Sequence, residues 1–272
     1  MSRTFFILLL LGAATAPLPA QTPYAADDNT LFLYHFDEGD NPARVLTDSS
    51  GNGRDAVYGS AASAGLESVK GLELSAATAG KLEGRITWKD TSESNGKNSL
   101  LYKLPSGDFT FEAWVKPEPD FENFKSENRY LVVIKADGAS YMDFSFSVHA
   151  AEGKYYLAIG DKGGPNRSWT HTAPLDWKVG EWYHVAVTGE EVADGFRYSF
   201  FSNLAGDTSI SPTPIYSTVN IPLEPQNSSA DPRSLEIGNY YGNNGESYFP
   251  GQIDEVRISN IARTEFETLA HK

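Results

Sequence analysis

Two stretches of this chain set carboxylates where strands should run, and hard, oxygen-seeking chemistry is what such groups can serve. Leu31 to Phe36 lead straight into Asp37-Glu38-Gly39, two acids at a strand end where a cation could gather them. Near the other end, Gly251-Gln252-Ile253-Asp254-Glu255-Val256-Arg257-Ile258-Ser259-Asn260 mixes acids with apolar residues. Strict alternation puts Asp254 on the face of Val256 and Ile258, which should be core. A carboxylate sent inward needs a partner. Calcium is one partner, because it accepts many oxygens in loose geometry and the chain has no cysteine to suggest zinc. An arginine, Arg54 or Arg257, is the other, and the residues favour neither.

A second chemistry is that of sugar binding, in which flat aromatic rings pack on pyranose faces while amides and carboxylates take the hydroxyls. Residues 239–249 concentrate both kinds, with Tyr240, Tyr241, Asn243 and Asn244 in one glycine-rich loop. Asn166-Arg167-Ser168-Trp169-Thr170-His171 is a second cluster, and Trp169 and His171 are its candidate contacts. Any single tyrosine is more simply a cap on the end of a sheet; the local density is what suggests a ligand. The histidines show no metal spacing such as H-E-x-x-H, and no G-x-S-x-G nucleophile motif occurs. Asn166 and Asn227 head formal glycosylation sequons, which a bacterial source would leave unmodified.

The N-terminus predicts export. Met1-Ser2-Arg3, an apolar run from Phe5 to Gly12, and Pro17-Leu18-Pro19-Ala20 have the layout of a secretory signal peptide, with cleavage expected after Ala20. The apolar run is too short for a membrane-spanning helix. Residues 21–272 then form one domain, a size that a single all-β unit commonly reaches. An exported chain without disulfides must be held by its core or by metal, which favours a bacterial secreted protein. The formal net charge is −14, one unit more negative once Arg3 leaves. That disfavours nucleic acid and membrane insertion and suits neutral glycans or divalent cations, although solubility alone would account for it.

The elements that must position these groups are short strands separated by Gly, Asn, Asp, Ser and Pro clusters, the pattern of a sandwich or jelly roll. Strands are expected over 31–36, 55–58, 71–74, 109–116, 130–135, 142–148, 155–159, 182–188, 196–201, 235–237 and 253–259. Met142 to Val148 alternate strictly, which predicts one core face and one wet face carrying Asp143, Ser145, Ser147 and His149. Trp182 to Thr188 are apolar on both faces and belong mid-sheet. Residues 61–101, with weak strands inside, and 202–233 read as long irregular stretches. Glu190-Glu191 reads as an exposed turn pair, and Thr264 with Glu267 as the capping box of a short C-terminal helix over 263–269.

Five segments, in order, resemble the laminin-G-like, concanavalin A-like jelly-roll superfamily, in its bacterial secreted branch. They are residues 33–39, 48–55, 109–117 (Phe-Thr-Phe-Glu-Ala-Trp-Val-Lys-Pro), 182–187 and 251–260. The resemblance implies an all-β sandwich of two antiparallel sheets with the first and last strands adjacent. It implies glycan binding, adhesion or polysaccharide cleavage as function, and a structural calcium. The positions matching that calcium are Asp37, Glu38, Asp48, Asp55 and Asp254. Asp48 to Gly53 begin like an EF-hand loop, but the twelfth position is Gly59 where a bidentate Glu belongs, so by itself the segment is a polar turn.

Two catalytic patterns of the same fold find only partial matches. Glu118-Pro119-Asp120-Phe121-Glu122 has the spacing of a β-glucanase motif, but Pro117 and Pro119 forbid a central strand there and leave a solvated loop. A lyase would need a His or Tyr base, for which His149 with Tyr141 is the candidate pair. The Arg-x-Glu-x-Arg and Gln-Ile-His motifs associated with such lyases are missing. The expectation is therefore a secreted, non-catalytic carbohydrate-binding module with a structural calcium. A polysaccharide lyase or glycoside hydrolase is the first alternative, and an adhesion or surface-structural module that binds protein is the second.

Overall fold

The computed structural model of the protein describes residues 23–38, 45–58, 72–74, 86–89, 100–119, 121, 127–136, 142–151, 154–160, 169–205, 213–220, 233–238 and 248–266. Fifteen strands are seen among them: Thr30–Tyr34 (β1), Val45–Leu46 (β2), Ala56–Tyr58 (β3), Leu72–Leu74 (β4), Ile86–Lys89 (β5), Phe109–Pro117 (β6), Glu127–Ala136 (β7) and Phe144–Ala151 (β8), then Lys154–Gly160 (β9), Trp169–His171 (β10), Tyr183–Val192 (β11), Gly195–Leu204 (β12), Tyr216–Asn220 (β13), Arg233–Ile237 (β14) and Gly251–Ser259 (β15). One helical turn, Leu100–Lys103, precedes β6.

These strands build two antiparallel sheets. The seven-stranded one runs β1-β15-β6-β11-β12-β13, with β4 also paired to β15, and the eight-stranded one runs β10-β9-β8-β7-β14-β5-β3-β2. The terminal strands lie side by side, Phe32 opposite Ile258 and Tyr34 opposite Val256. Alternation then supplies the core. Phe109, Phe111, Ala113 and Val115 of β6 face Phe144, Phe146 and Val148 of β8, and the rings of Phe111 and Phe144 stack at 4.6 Å. Gly189, opposite Phe109, leaves room for its ring: a Cβ there would meet it at 2.3 Å.

Several expectations need correction. Strands β2, β10 and β13 were not foreseen, and β5 only as an unplaced weak strand within 61–101, because segments of two to five residues carry too little alternation to read. Glu190 and Glu191 lie within β11 rather than in a turn, and Glu190 pairs with Arg197 at 3.0 Å. The segment after β6 is not simply solvated: Phe121 is buried against Tyr155, with ring centroids 4.3 Å apart. Residues 263–266 are not helical. Arg263 there bonds sideways, its N–H to Thr110 Oγ1 and its guanidinium to Asp27. Asp143, Ser145 and Ser147 are fully buried rather than wet; Asp143 forms an ion pair with the equally buried Arg233, and Ser145 Oγ donates to Gly160 O.

The largest correction concerns β15. Its register against β6 slips between Asp254 and Arg257, and Glu255 sits in the left-handed region at φ 49°. Such a bulge sets two residues against one and shifts the phase of alternation. Ile253, Val256 and Ile258 all reach the core, while Asp254, level with Trp114, and Arg257, level with Glu112, lie on the outer face of the seven-stranded sheet. Asp254 therefore does not share the face of Val256 and Ile258.

Candidate functional site

The acids of the two chain ends do meet, although outside the core. Asp254 is 3% exposed, and burial and the Glu255 charge, followed by Asp37 and Glu38, push its carboxyl up to about 8 against the help of a bond from Glu255 N–H. Burial also raises Asp37. Glu38 Oε1 accepts from Thr47 N–H at 2.8 Å, whereas its Oε2 is buried with no hydrogen-bond partner among the described residues. His35 Nδ1–H donates to both oxygens of Glu255 at 3.0 and 2.9 Å, and that bond raises the imidazole above its ordinary range. Two non-glycine residues with positive φ stand here together, Glu255 and Phe36 at φ 60°. Such conformations persist only where the surroundings enforce them.

Asp48 and Asp55 are differently employed. Asp48 Oδ1 accepts from the N–H groups of Leu33 and Ser50, and Oδ2 accepts from Ser50 Oγ and Arg54 N–H. Its lone pairs are spent on folding the turn. Asp55 Oδ1 takes the N–H of Asp48. Of the two candidate arginine partners for Asp254, Arg54 donates to Leu31 O at 2.6 Å, and Arg257 donates to Glu112 Oε1 at 2.7 Å and to Ala25 O at 3.1 Å. Among the described residues no group of three or more His, Asp or Glu side chains is already arranged to hold a metal.

Along the same outer face runs a buried ionic chain that the sequence did not disclose. Glu112, 1% exposed, meets Arg257 and His184, the latter at 3.3 Å. Burial pushes Glu112 up, but the His184 bond and the Arg257 charge more than offset it and hold it below its ordinary value. The segment before β1 covers this chain, with Tyr24 buried over Arg257 at 4.6 Å from its ring. Phe266 closes it from the other side, 5.1 Å from the His184 ring.

The outer face of the eight-stranded sheet collects a different set. Four consecutive strands each contribute one group: Asn128 from β7, His149 from β8, Tyr156 from β9 and His171 from β10. Asn128 faces His149, and His149 faces Tyr156, in direct register. His149 Nδ1–H donates to Asn128 Oδ1 at 3.0 Å. The rings of His149 and His171 lie 4.8 Å apart at 51°, and Tyr156 lies 6.3 Å from His149. Burial lowers His149, and burial together with His149 lowers His171, so both imidazoles favour the neutral form.

Of the ligand contacts expected from sequence, His171 thus joins the expected catalytic candidate His149. Trp169 stands two residues from His171 on β10 and is placed by its backbone alone. Tyr141, Tyr240, Tyr241, Asn243 and Asn244 lie outside the described residues, as does the expected leader, 1–20. Asn128 and Tyr156 were missed. The alternation of β8 puts His149 on the outer face, but finding its neighbours needs the strand register.

A cleft of about 310 Å³ opens at the end of the sandwich, lined by Leu175, Asp176, Trp177, Tyr183, Ser202 and Leu204 among others. Trp177 stacks on Tyr183 at 4.9 Å and faces Phe121 at 6.2 Å on near-parallel planes, so its ring serves the protein's own packing.

A family model described as the concanavalin A-like lectin/glucanases superfamily, of laminin G type, matches residues 89–267. The chain belongs to this superfamily. No curated protein matches it. Among solved structures it is similar to the Trypanosoma rangeli sialidase in complex with 2,3-difluorosialic acid, at 14% identity and TM-score 0.54, over 88% of this chain and 32% of that one. It is also similar to the receptor-binding domain of botulinum neurotoxin mosaic serotype C/D, at 11% identity and TM-score 0.50, over 87% of this chain and 48% of that one. The chain therefore spans about a third and about half of these proteins. At such identities the likeness establishes the fold and nothing further.

Proposed function

We propose that this superfamily member is a secreted module that binds an extracellular polysaccharide or glycan without cleaving it, through the outer face of the eight-stranded sheet. The observation that carries this reading is the convergence of Asn128, His149, Tyr156 and His171, from four neighbouring strands, on one half-open surface. An amide, a phenol and two neutral imidazoles offer the donors, acceptors and flat rings that sugar hydroxyls and pyranose faces require. A face built on strands holds such groups in fixed register, which limits the ordering cost of binding.

A glycan array with the calcium-saturated protein tests this, with sialosides included beside neutral polysaccharides. Binding that falls at least about tenfold in Tyr156→Ala and His171→Ala, with no product released, supports the module, since that loss is the size of one good polar or stacking contact. Release of reducing ends or unsaturated uronates would replace it with an enzyme. One observation favours that second reading: His149, neutral and held by Asn128, has the form of a general base. Capture of a single protein ligand, insensitive to competing sugars, would establish the adhesion module instead.

The structural calcium belongs to this proposal. The residues fit it in part: the buried carboxyl of Asp254, the unpartnered Glu38 Oε2 and Asp37 offer only hard oxygens, close enough for their charges to interact. Asp48 and Asp55 support the turn beside them. Bound calcium would supply the positive charge that these acids lack and tie the start of the chain to its last strand.

A further inference from the structure

We infer that His149 and His171 form a two-imidazole site for a divalent transition metal, zinc or copper, separate from the acidic calcium site. The proposal goes beyond glycan binding and does not depend on it. Its basis is geometric. Two ring nitrogens that share one ion each stand about 2.0–2.1 Å from it, hence about 3–4 Å from one another. Imidazoles whose centroids lie 4.8 Å apart bring their edges within that reach after a small rotation of either ring.

The bond to Asn128 supplies the orientation. With Nδ1–H donated to Asn128 Oδ1, the lone pair of His149 is on Nε2. A ligating histidine usually has its second nitrogen fixed in this way by a carbonyl or carboxylate, which sets the tautomer and aims the ring. Both imidazoles stand at half-open positions, so an ion could enter and keep coordination places for water. The choice of metal follows from donor type. Imidazole suits zinc and copper, while calcium and magnesium require oxygens.

The experiment uses the full chain with calcium in excess, so that acidic ligands elsewhere are occupied, and no sugar present. Zinc is titrated by calorimetry, and copper is added for electron paramagnetic resonance. One equivalent of each metal should bind, and the copper spectrum should show coupling to two nitrogens. His149→Gln and His171→Gln should each abolish this binding, and Asn128→Ala should weaken it about 10- to 100-fold, the usual cost of losing an orienting partner. Absence of stoichiometric binding in the unaltered protein would overturn the proposal, as would binding that survives in His171→Gln. Because wild type alone decides the first outcome, a variant that failed to fold would leave the proposal falsifiable. Glycan binding is measured separately, so neither result can be mistaken for the other.

Discussion

Asp254 shows how far a single residue can be read from sequence. That a carboxylate in Ile-Asp-Glu-Val-Arg-Ile needs a partner follows from composition alone; which face it takes does not, because the bulge at Glu255 breaks the period on which the reading rests. The meeting with Asp37 and Glu38 was legible, while the spending of Asp48 on its own turn was not, since hydrogen bonds to backbone leave no periodic trace. The elevated Asp254 carboxyl makes a pH prediction. Without metal, the folded protein keeps this proton up to about pH 8, whereas the unfolded chain loses it near 3.8. Between those values the folded state binds more protons, so its contribution to stability falls as pH rises. The slope is at most about 1.4 kcal/mol per pH unit. In chelator, the denaturation midpoint should decrease from pH 5 to 8; calcium should restore it at pH 8. Asp254→Asn should flatten the chelated profile and lose the response to calcium. A midpoint in chelator that rises over this range would contradict the account.

At the scale of elements, the long strands β6, β8, β11 and β15 were readable because each is an apolar-rich run of eight or more residues, while β2 and β10 have only two or three. Alternation misled where it assigned a wet face: Asp143 and Ser145 on the eight-stranded sheet are polar and yet buried, because each finds partners that a linear pattern does not reveal. The Glu112 chain predicts a graded response. Glu112→Ala leaves Arg257 buried without its carboxylate and should cost roughly 3–5 kcal/mol. Asp27→Asn removes a bond from Arg263 to a carboxylate that is 45% exposed, and should cost no more than about 1 kcal/mol. Urea denaturation measures both. Equal losses would mean that Glu112 is no more deeply committed than the surface pair.

For the whole molecule, the two outer faces carry different groups. On the face of the seven-stranded sheet the segments flanking β1 and β15 cover the Glu112 chain, with Tyr24 over Arg257 and Phe266 against His184. The opposite face carries the imidazoles and Tyr156, which is why binding is assigned there. A net charge of −14 surrounds both. The field of such a protein repels anions over about 10 Å at 0.1 M salt and over about 30 Å at 0.01 M. Ionic strength therefore separates ligand classes. A neutral glycan held by hydrogen bonds and ring contacts at His149, Tyr156 and His171 should bind with a dissociation constant that stays within about twofold as salt rises from 0.01 to 0.3 M. An anionic glycan should instead bind more tightly with added salt, through a faster association rate, because screening removes the long-range repulsion while the contacts at the face stay the same. Surface plasmon resonance on immobilised glycans resolves the two rates. Binding of an anionic glycan that weakens steeply with salt would require a cationic contact surface, and the ligand face would then have to be sought away from the imidazole pair.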